Sequence, residues 1–198
     1  CSDIVIGPGL GQDDWAHQQF SRLFAHLKLH PKPLVIDADG LNLLAAMQND
    51  TNLLNILAQL PALVLTPHPG EASRLLQCKI AKIENNRYLT SKKIAQTYAS
   101  VCVLKGAGTI VQTDGNDQEG QCWVCKGGNA GMATAGMGDL LTGVIGAFLA
   151  QGFDSQQAAV YGVCAHAEAG DRIALQFGQR GMIASDLLQP LRAIVNGL

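Results

Sequence analysis

Ala62-Leu63-Val64-Leu65-Thr66-Pro67-His68-Pro69-Gly70-Glu71 joins an uninterrupted apolar run to a turn-rich polar cluster. Four apolar residues without alternation predict a strand buried on both faces, the mark of a parallel sheet covered on each side by helices. The same grammar recurs. Ile4 to Ile6, Leu34 to Ile36 and Val101 to Leu104 are short apolar runs bounded by turn residues. Between them lie helical patterns: one face marked by Trp15, Phe20, Leu23, Phe24 and Leu27, a second by Leu41, Leu44 and Ala45, a third by Tyr88, Leu89, Ile94, Ala95 and Tyr98. Strand–helix–strand alternation of this kind predicts a doubly wound α/β structure with helices on both faces of the sheet.

Beyond Lys105 the pattern changes. Thr109 to Gln112, a polar turn at Asp114-Gly115-Asn116-Asp117, and Gln121 to Val124 read as an antiparallel hairpin at the sheet edge. From Asn129 onward helices are expected over Gly138 to Ala150, Ser155 to about Phe177 and Ser185 to Val195, with Ser155 and Ser185 as N-caps. No repeat, low-complexity tract or linker interrupts the chain, so residues 1–198 read as one domain. It opens on Ser2-Asp3-Ile4-Val5-Ile6 without Met, charged n-region or signal peptide, as if entered in mid-domain; an N-terminally truncated domain is the expectation.

Composition excludes several classes. Of 198 residues, 47% are hydrophobic and 15% charged, which excludes a disordered tail and supplies a sizeable core. A net charge of −2, with no basic block, excludes binding to nucleic acid or an anionic membrane by net charge. The longest apolar stretch, Leu140 to Ala150, is far short of the ~20 residues of a membrane span. A soluble, cytoplasmic protein is expected, with the six cysteines reduced. Cys102 and Cys164 read as small core residues. Cys122-Trp-Val-Cys125 has the spacing of a metal or redox pair but lacks a second pair, so two thiols on an edge strand are the simpler reading.

The chemistry-bearing residues follow the strands. Ligands of open parallel sheets bind beyond the carboxyl ends of the strands. There the sequence carries Gly7-Pro8-Gly9-Leu10-Gly11, Asp37-Ala38-Asp39-Gly40, Thr66-Pro67-His68-Pro69-Gly70-Glu71 and Lys105-Gly106-Ala107-Gly108-Thr109. Gly131-Met132-Ala133-Thr134-Ala135-Gly136-Met137-Gly138-Asp139 leads into an apolar helix. Bare backbone N–H groups at Gly136, Met137 and Gly138 would form an anion cradle, with Asp139 in the first turn; a helix-capping Asp is the bland alternative. His68, framed by two prolines, reads as a ligand contact or a solvated loop residue. Glu71 reads as a ligand contact or as a helix-dipole carboxylate. Asp37, Asp39 and Asn42 could hold substrate or a cation, or Asn42 could merely close the turn. Lys105 suits a phosphate or a snorkelling strand end. His17, His26, His30 and His166 read as surface or packing residues.

In their order, these motifs resemble the NAD(P)H-hydrate dehydratases, and the resemblance spans essentially the whole chain. It implies a ribokinase-like three-layer fold. It further implies a repair enzyme that restores NADH or NADPH from the hydrated, redox-dead form, with ADP or ATP as co-substrate (ADP by preference) and Mg²⁺. On that resemblance Asp139 is the base; Gly9, His68 and Asp139 contact the hydrated nicotinamide nucleotide. Lys105, Gly106, Ala107, Gly108, Thr109 and Gly138 contact the adenine nucleotide, while Glu71, Asp37 and Asn42 lie near Mg²⁺ or phosphate. A homo-oligomer is expected, and the epimerase domain fused to some members has no counterpart in these residues. A ribokinase-like small-molecule kinase of the hydroxymethylpyrimidine or thiazole type would share the Gly-x-Gly-Asp loop, but not His68 between Pro67 and Pro69. A nucleotide-binding fragment without turnover is the remaining alternative.

Overall fold

The computed structural model describes residues 2–115 and 120–198. A six-stranded sheet runs in the order β1 (Ile4–Ile6), β2 (Leu34–Ile36), β3 (Leu63–Leu65), β4 (Val101–Leu104), β5 (Thr109–Gln112), β6 (Cys122–Cys125). The first four strands are parallel. The last two pair antiparallel, the expected edge hairpin. Asn116 and Asp117 of the expected turn lie outside the described residues.

Alternation along each strand builds two cores. Leu34, Ile36, Leu63, Leu65, Cys102 and Leu104 face one side and pack against α1 (Asp14–Leu29), α2 (Ala38–Ala46), α3 (Thr51–Leu57), α4 (Pro69–Leu75), α5 (Ile80–Asn85) and α6 (Arg87–Tyr98). Val35, Val64, Val101, Val103 and Val111 face the other side, against Leu141, Ile145 and Leu149 of α7 (Met137–Ala150) and Ala158, Ala159 and Val163 of α8 (Ser155–Phe177). α9 (Leu188–Val195) closes a smaller cluster with α8 and Met137. The two helical layers are as expected, but the winding is not double. Consecutive parallel strands are neighbours, all their crossover helices lie on the first face, and α7 and α8 supply the second. No helix among the described residues is long and apolar enough to cross a membrane.

Several local expectations shift by a residue. Trp15 is exposed and Ala16 takes the inward position with Phe20, Phe24 and Leu27. On α6, Tyr88 and Leu89 are exposed, whereas Thr90, Ser91, Ile94, Ala95 and Tyr98 are buried. Apolarity misled because the helical angle of 100° per residue, not the largest side chain, selects the inward face. Asp154 rather than Ser155 caps α8, accepting from Gln157 N–H at 2.7 Å. Ser185 sits inside a 3₁₀ turn, Ala184–Leu187, ahead of α9. Cys102 is buried as expected, but Cys164 is exposed. Cys122 and Cys125 lie three apart on β6, so their side chains leave opposite faces of the edge strand.

Candidate active site

The ends of β2, β3 and β4 meet the first turns of α7 through Asp37, Thr66 and Lys105. Gly136, the N-cap, adopts φ +83°, a left-handed turn that glycine makes without a Cβ penalty. This turn aims the first amides of α7 out of the loop, and the helix dipole adds positive character there.

Asp37 follows β2 and is almost wholly buried. Its two oxygens are taken: Lys105 Nζ donates to Oδ1 at 2.6 Å, and the Thr142 hydroxyl donates to Oδ2 at 2.6 Å. Thr142 lies one turn into α7 from Gly138, 3.0 Å from the Gly138 carbonyl and 3.4 Å from the Thr66 hydroxyl. Asp37 therefore ties the end of β4 and the start of α7 to the centre of the sheet. Lys105 comes close beneath Gly138, where a Cβ would stand 3.2 Å from its ammonium.

Glu71 is the second buried carboxylate. Its Oε2 accepts the His68 N–H at 2.7 Å and lies 3.9 Å from Lys105 Nζ. Burial pushes its carboxyl above the ordinary value, against the opposing pull of the Lys105 charge and the His68 N–H. His68 is itself the N-cap of α4: Nδ1 accepts the Gly70 N–H at 2.9 Å, leaving the neutral ring's proton on Nε2, 3.3 Å from Glu71 Oε1. The two prolines thus frame a reciprocal cap as well as an exposed imidazole.

The other candidates separate. Asp39 accepts from Gly11 N–H at 2.9 Å and from the Gln12 amide at 3.0 Å, which fastens the Gly7–Gly11 turn; Gly9 is exposed at φ +68° in that turn. Asn42 accepts from the Arg74 guanidinium at 3.0 Å. Asp139 is exposed in the first turn of α7 and makes no hydrogen bond or ion pair among the described residues. It is not the helix cap.

Asp37, Glu71 and Asn42 do not fit a protein-built Mg²⁺ site. One carboxylate carries an ammonium on one oxygen and a hydroxyl on the other, the second faces the same ammonium, whose charge opposes a cation there, and Asn42 serves Arg74. Among the described residues no group of three or more His, Cys, Asp or Glu could hold a metal.

Beside Lys105 opens a cavity of about 530 Å³. Its walls are the 105–109 loop, the segment from Cys125 to Ala133, Met137, Gly138 and Leu141, and Val163, His166 and Ala167 of α8. The mouth loop is ordered by Asp171, which accepts from Gly128 N–H at 2.8 Å and Asn129 Nδ2 at 2.9 Å. The structure thus brings Lys105, Gly106, Ala107, Gly108, Thr109, Met137 and Gly138 together on one cavity. Gly9, His68, Glu71 and Asp139 do not line it.

Three participants escape the sequence reading. Thr142 left a signal, as the lone hydroxyl in an apolar helix. His166, read as a surface or packing residue, is a buried wall of the cavity, and burial lowers its pKa to about 4 despite the Met137 backbone beside it. Arg87 left none. Its guanidinium reaches the 104–107 loop only through the packing of α6 beside β4.

The comparisons with known proteins agree with this architecture. A bifunctional NAD(P)H-hydrate repair enzyme of Escherichia coli K12 is 45% identical over 193 residues, covering 98% of this chain and 34% of that protein. A solved structure of the ADP/ATP-dependent NAD(P)H-hydrate dehydratase from Bacillus subtilis, co-crystallized with ATP/Mg²⁺ and soaked with CoA, superposes with a TM-score of 0.78 at 26% identity, covering 99% of this chain and 66% of that one. A ribokinase-like superfamily protein from Enterococcus faecalis V583 superposes equally well, TM-score 0.78 at 30% identity, covering 100% of this chain and 63% of that one. The chain therefore spans about a third of the length of the curated repair enzyme it matches. Over residues 1–192 the sequence matches the family described as NAD(P)H-hydrate dehydratase, and the chain belongs to that family.

Proposed function

We propose that the chain dehydrates hydrated NADH or NADPH at the expense of ADP, with ATP as the other possible donor. The observation that carries this reading is the convergence of Lys105 Nζ and Gly138 on the cavity rim at the N-terminus of α7. A diphosphate entering the cavity would meet the Lys105 charge and the first amides of α7 together, the requirement for binding a phosphoryl group and spreading its developing charge.

Asp139 stands one residue beyond Gly138, exposed and without a partner among the described residues, and so is free to take the proton of a substrate hydroxyl. In the proposed sequence that hydroxyl, on the hydrated nicotinamide ring, gives its proton to Asp139 as its oxygen attacks the terminal phosphoryl of the nucleotide. ADP leaves as AMP. The C–O bond to the new phosphate then breaks, phosphate departs, and loss of a neighbouring ring proton forms the double bond. Gly9 and His68 would contact the nicotinamide nucleotide and Lys105 to Thr109 the adenine nucleotide. Mg²⁺ would travel with the nucleotide phosphates rather than in a cage of protein carboxylates, since the nearest two are already paired.

The test is recovery of dihydronicotinamide absorbance from hydrated NADH with ADP or ATP present, with AMP or ADP and phosphate as co-products. Consumption of nucleotide without recovered absorbance would point to a small-molecule kinase. Nucleotide binding without any turnover would leave a binding fragment.

A further inference from the structure

Arg87 is the first residue of α6, where the helix dipole favours an acid and the first turn carries none. The local rule is broken by a cation that points at backbone. Its Nη1 donates to the Ala107 carbonyl, and its Nη2 donates to the carbonyls of Leu104 at 3.1 Å and Lys105 at 3.3 Å. No carboxylate pairs with it among the described residues. Gly106 permits the approach, since a Cβ there would stand 3.1 Å from Nη2.

The consequence follows from peptide geometry. In a planar trans peptide the C=O and the next N–H point in opposite directions. Carbonyls of Lys105 and Ala107 turned toward the guanidinium therefore turn the N–H groups of Gly106 and Gly108 away from it. No described group accepts from either N–H, although the neighbouring Lys105 N–H is satisfied by Pro67 O at 2.8 Å. Gly106 and Gly108 both line the cavity beside Lys105. Successive free amides on a glycine turn make an anion-binding concavity.

We propose that Arg87 is a positioning residue for the nucleotide phosphates, clamping the 104–107 loop so that the Gly106 and Gly108 amides serve as donors to the diphosphate. The inference rests on the reading that an adenine nucleotide occupies this cavity. Arg87 touches no reacting atom; it acts through the loop, and its uncompensated charge strengthens the field at the phosphate site.

Calorimetry on the full chain with ADP and with adenosine tests it. Wild type binds ADP more tightly than adenosine. Arg87→Ala and Arg87→Lys weaken ADP by about 10- to 100-fold, the scale of charge-assisted hydrogen bonds, and leave adenosine unchanged; a few millimolar guanidinium partly restores ADP binding to Arg87→Ala. A merely structural role would lower the melting temperature and weaken both ligands alike, and that result, or unchanged ADP affinity, overturns the inference while the nucleotide reading stands. Wild type that fails to bind ADP overturns both. Should the variants not fold, the wild-type amide resonances of Gly106 and Gly108 decide: they shift with ADP and not with adenosine, and amides unmoved by ADP refute the clamp.

Discussion

Lys105 Nζ lies 2.6 Å from Asp37 Oδ1, bridging the ends of β4 and β2 across the intervening β3. The pair holds the ammonium beneath Gly138 instead of letting it extend into solvent. Asp37 is thus a positioning group for the cation, and the Thr142 hydroxyl on its other oxygen holds α7 in the same register.

Replacing Asp37 by Asn removes the charge that fixes Lys105. Truncating one side of a buried pair is costly, and because Lys105 keeps 18% exposure the loss is about 2–3 kcal/mol, under the range for a fully enclosed pair. Urea denaturation measures it. The double variant Asp37→Leu with Lys105→Met recovers most of that stability and none of the ADP binding. A double variant as unstable as Asp37→Asn would show that the pair is not the source of the loss.

Gly138→Ala separates stability from binding. The position is the second residue of α7 and not left-handed, so the backbone accepts Ala, but the Lys105 ammonium must give way to the added methyl. Its methyl would stand 3.2 Å from Lys105 Nζ and 3.8 Å from Asp37 Oδ2, in the space a phosphate oxygen needs. A variant that still unfolds cooperatively, with ADP affinity reduced roughly tenfold, is the expected outcome. Unchanged affinity would remove Gly138 from the anion site.

Asp139→Asn keeps the fold, because the side chain is exposed and caps nothing. ADP affinity stays within about twofold, whereas turnover falls by about 10²–10⁴, the contribution of a positioned general base. Near-normal turnover would exclude Asp139 from proton transfer.

His166 makes stability depend on acid. Burial lowers its pKa from 6.5 to about 4, so the folded protein favours the neutral ring. The associated stability is complete above pH 6.5 and is lost as pH falls through about 4, on the order of 3 kcal/mol. His166→Leu abolishes that portion of the acid loss; carboxylate contributions common to both proteins cancel in the difference. Parallel urea midpoints for the two proteins through this range would refute the burial effect.

Much of the fold was legible because its signals are local. A strand covered on both faces must be apolar at every residue, so Leu34–Ile36 and Val101–Leu104 announce themselves at their observed bounds. The length of α8 was likewise readable, though its cap was one residue off. The path of the chain was not. Short apolar runs do not say on which face a crossover helix packs, and the single direction of winding emerges only from which alternate residues meet α1–α6 or α7 and α8. His68 looked like a ligand because its neighbours are unusual, and its capping geometry was invisible until the backbone had turned.

By itself, then, the sequence determined the kinds of element and the strand-end location of the chemistry, since hydrophobic period and turn residues act within a few positions of one another. The tertiary structure decided the partnerships. Asp37 reaches Lys105 across 68 residues and Thr142 across 105, and Arg87 meets the carbonyls of a loop it precedes by about a helix and a strand. Such contacts depend on strand order and on the angle at which helices cross the sheet, quantities set by the packing of two whole cores and written at no single position.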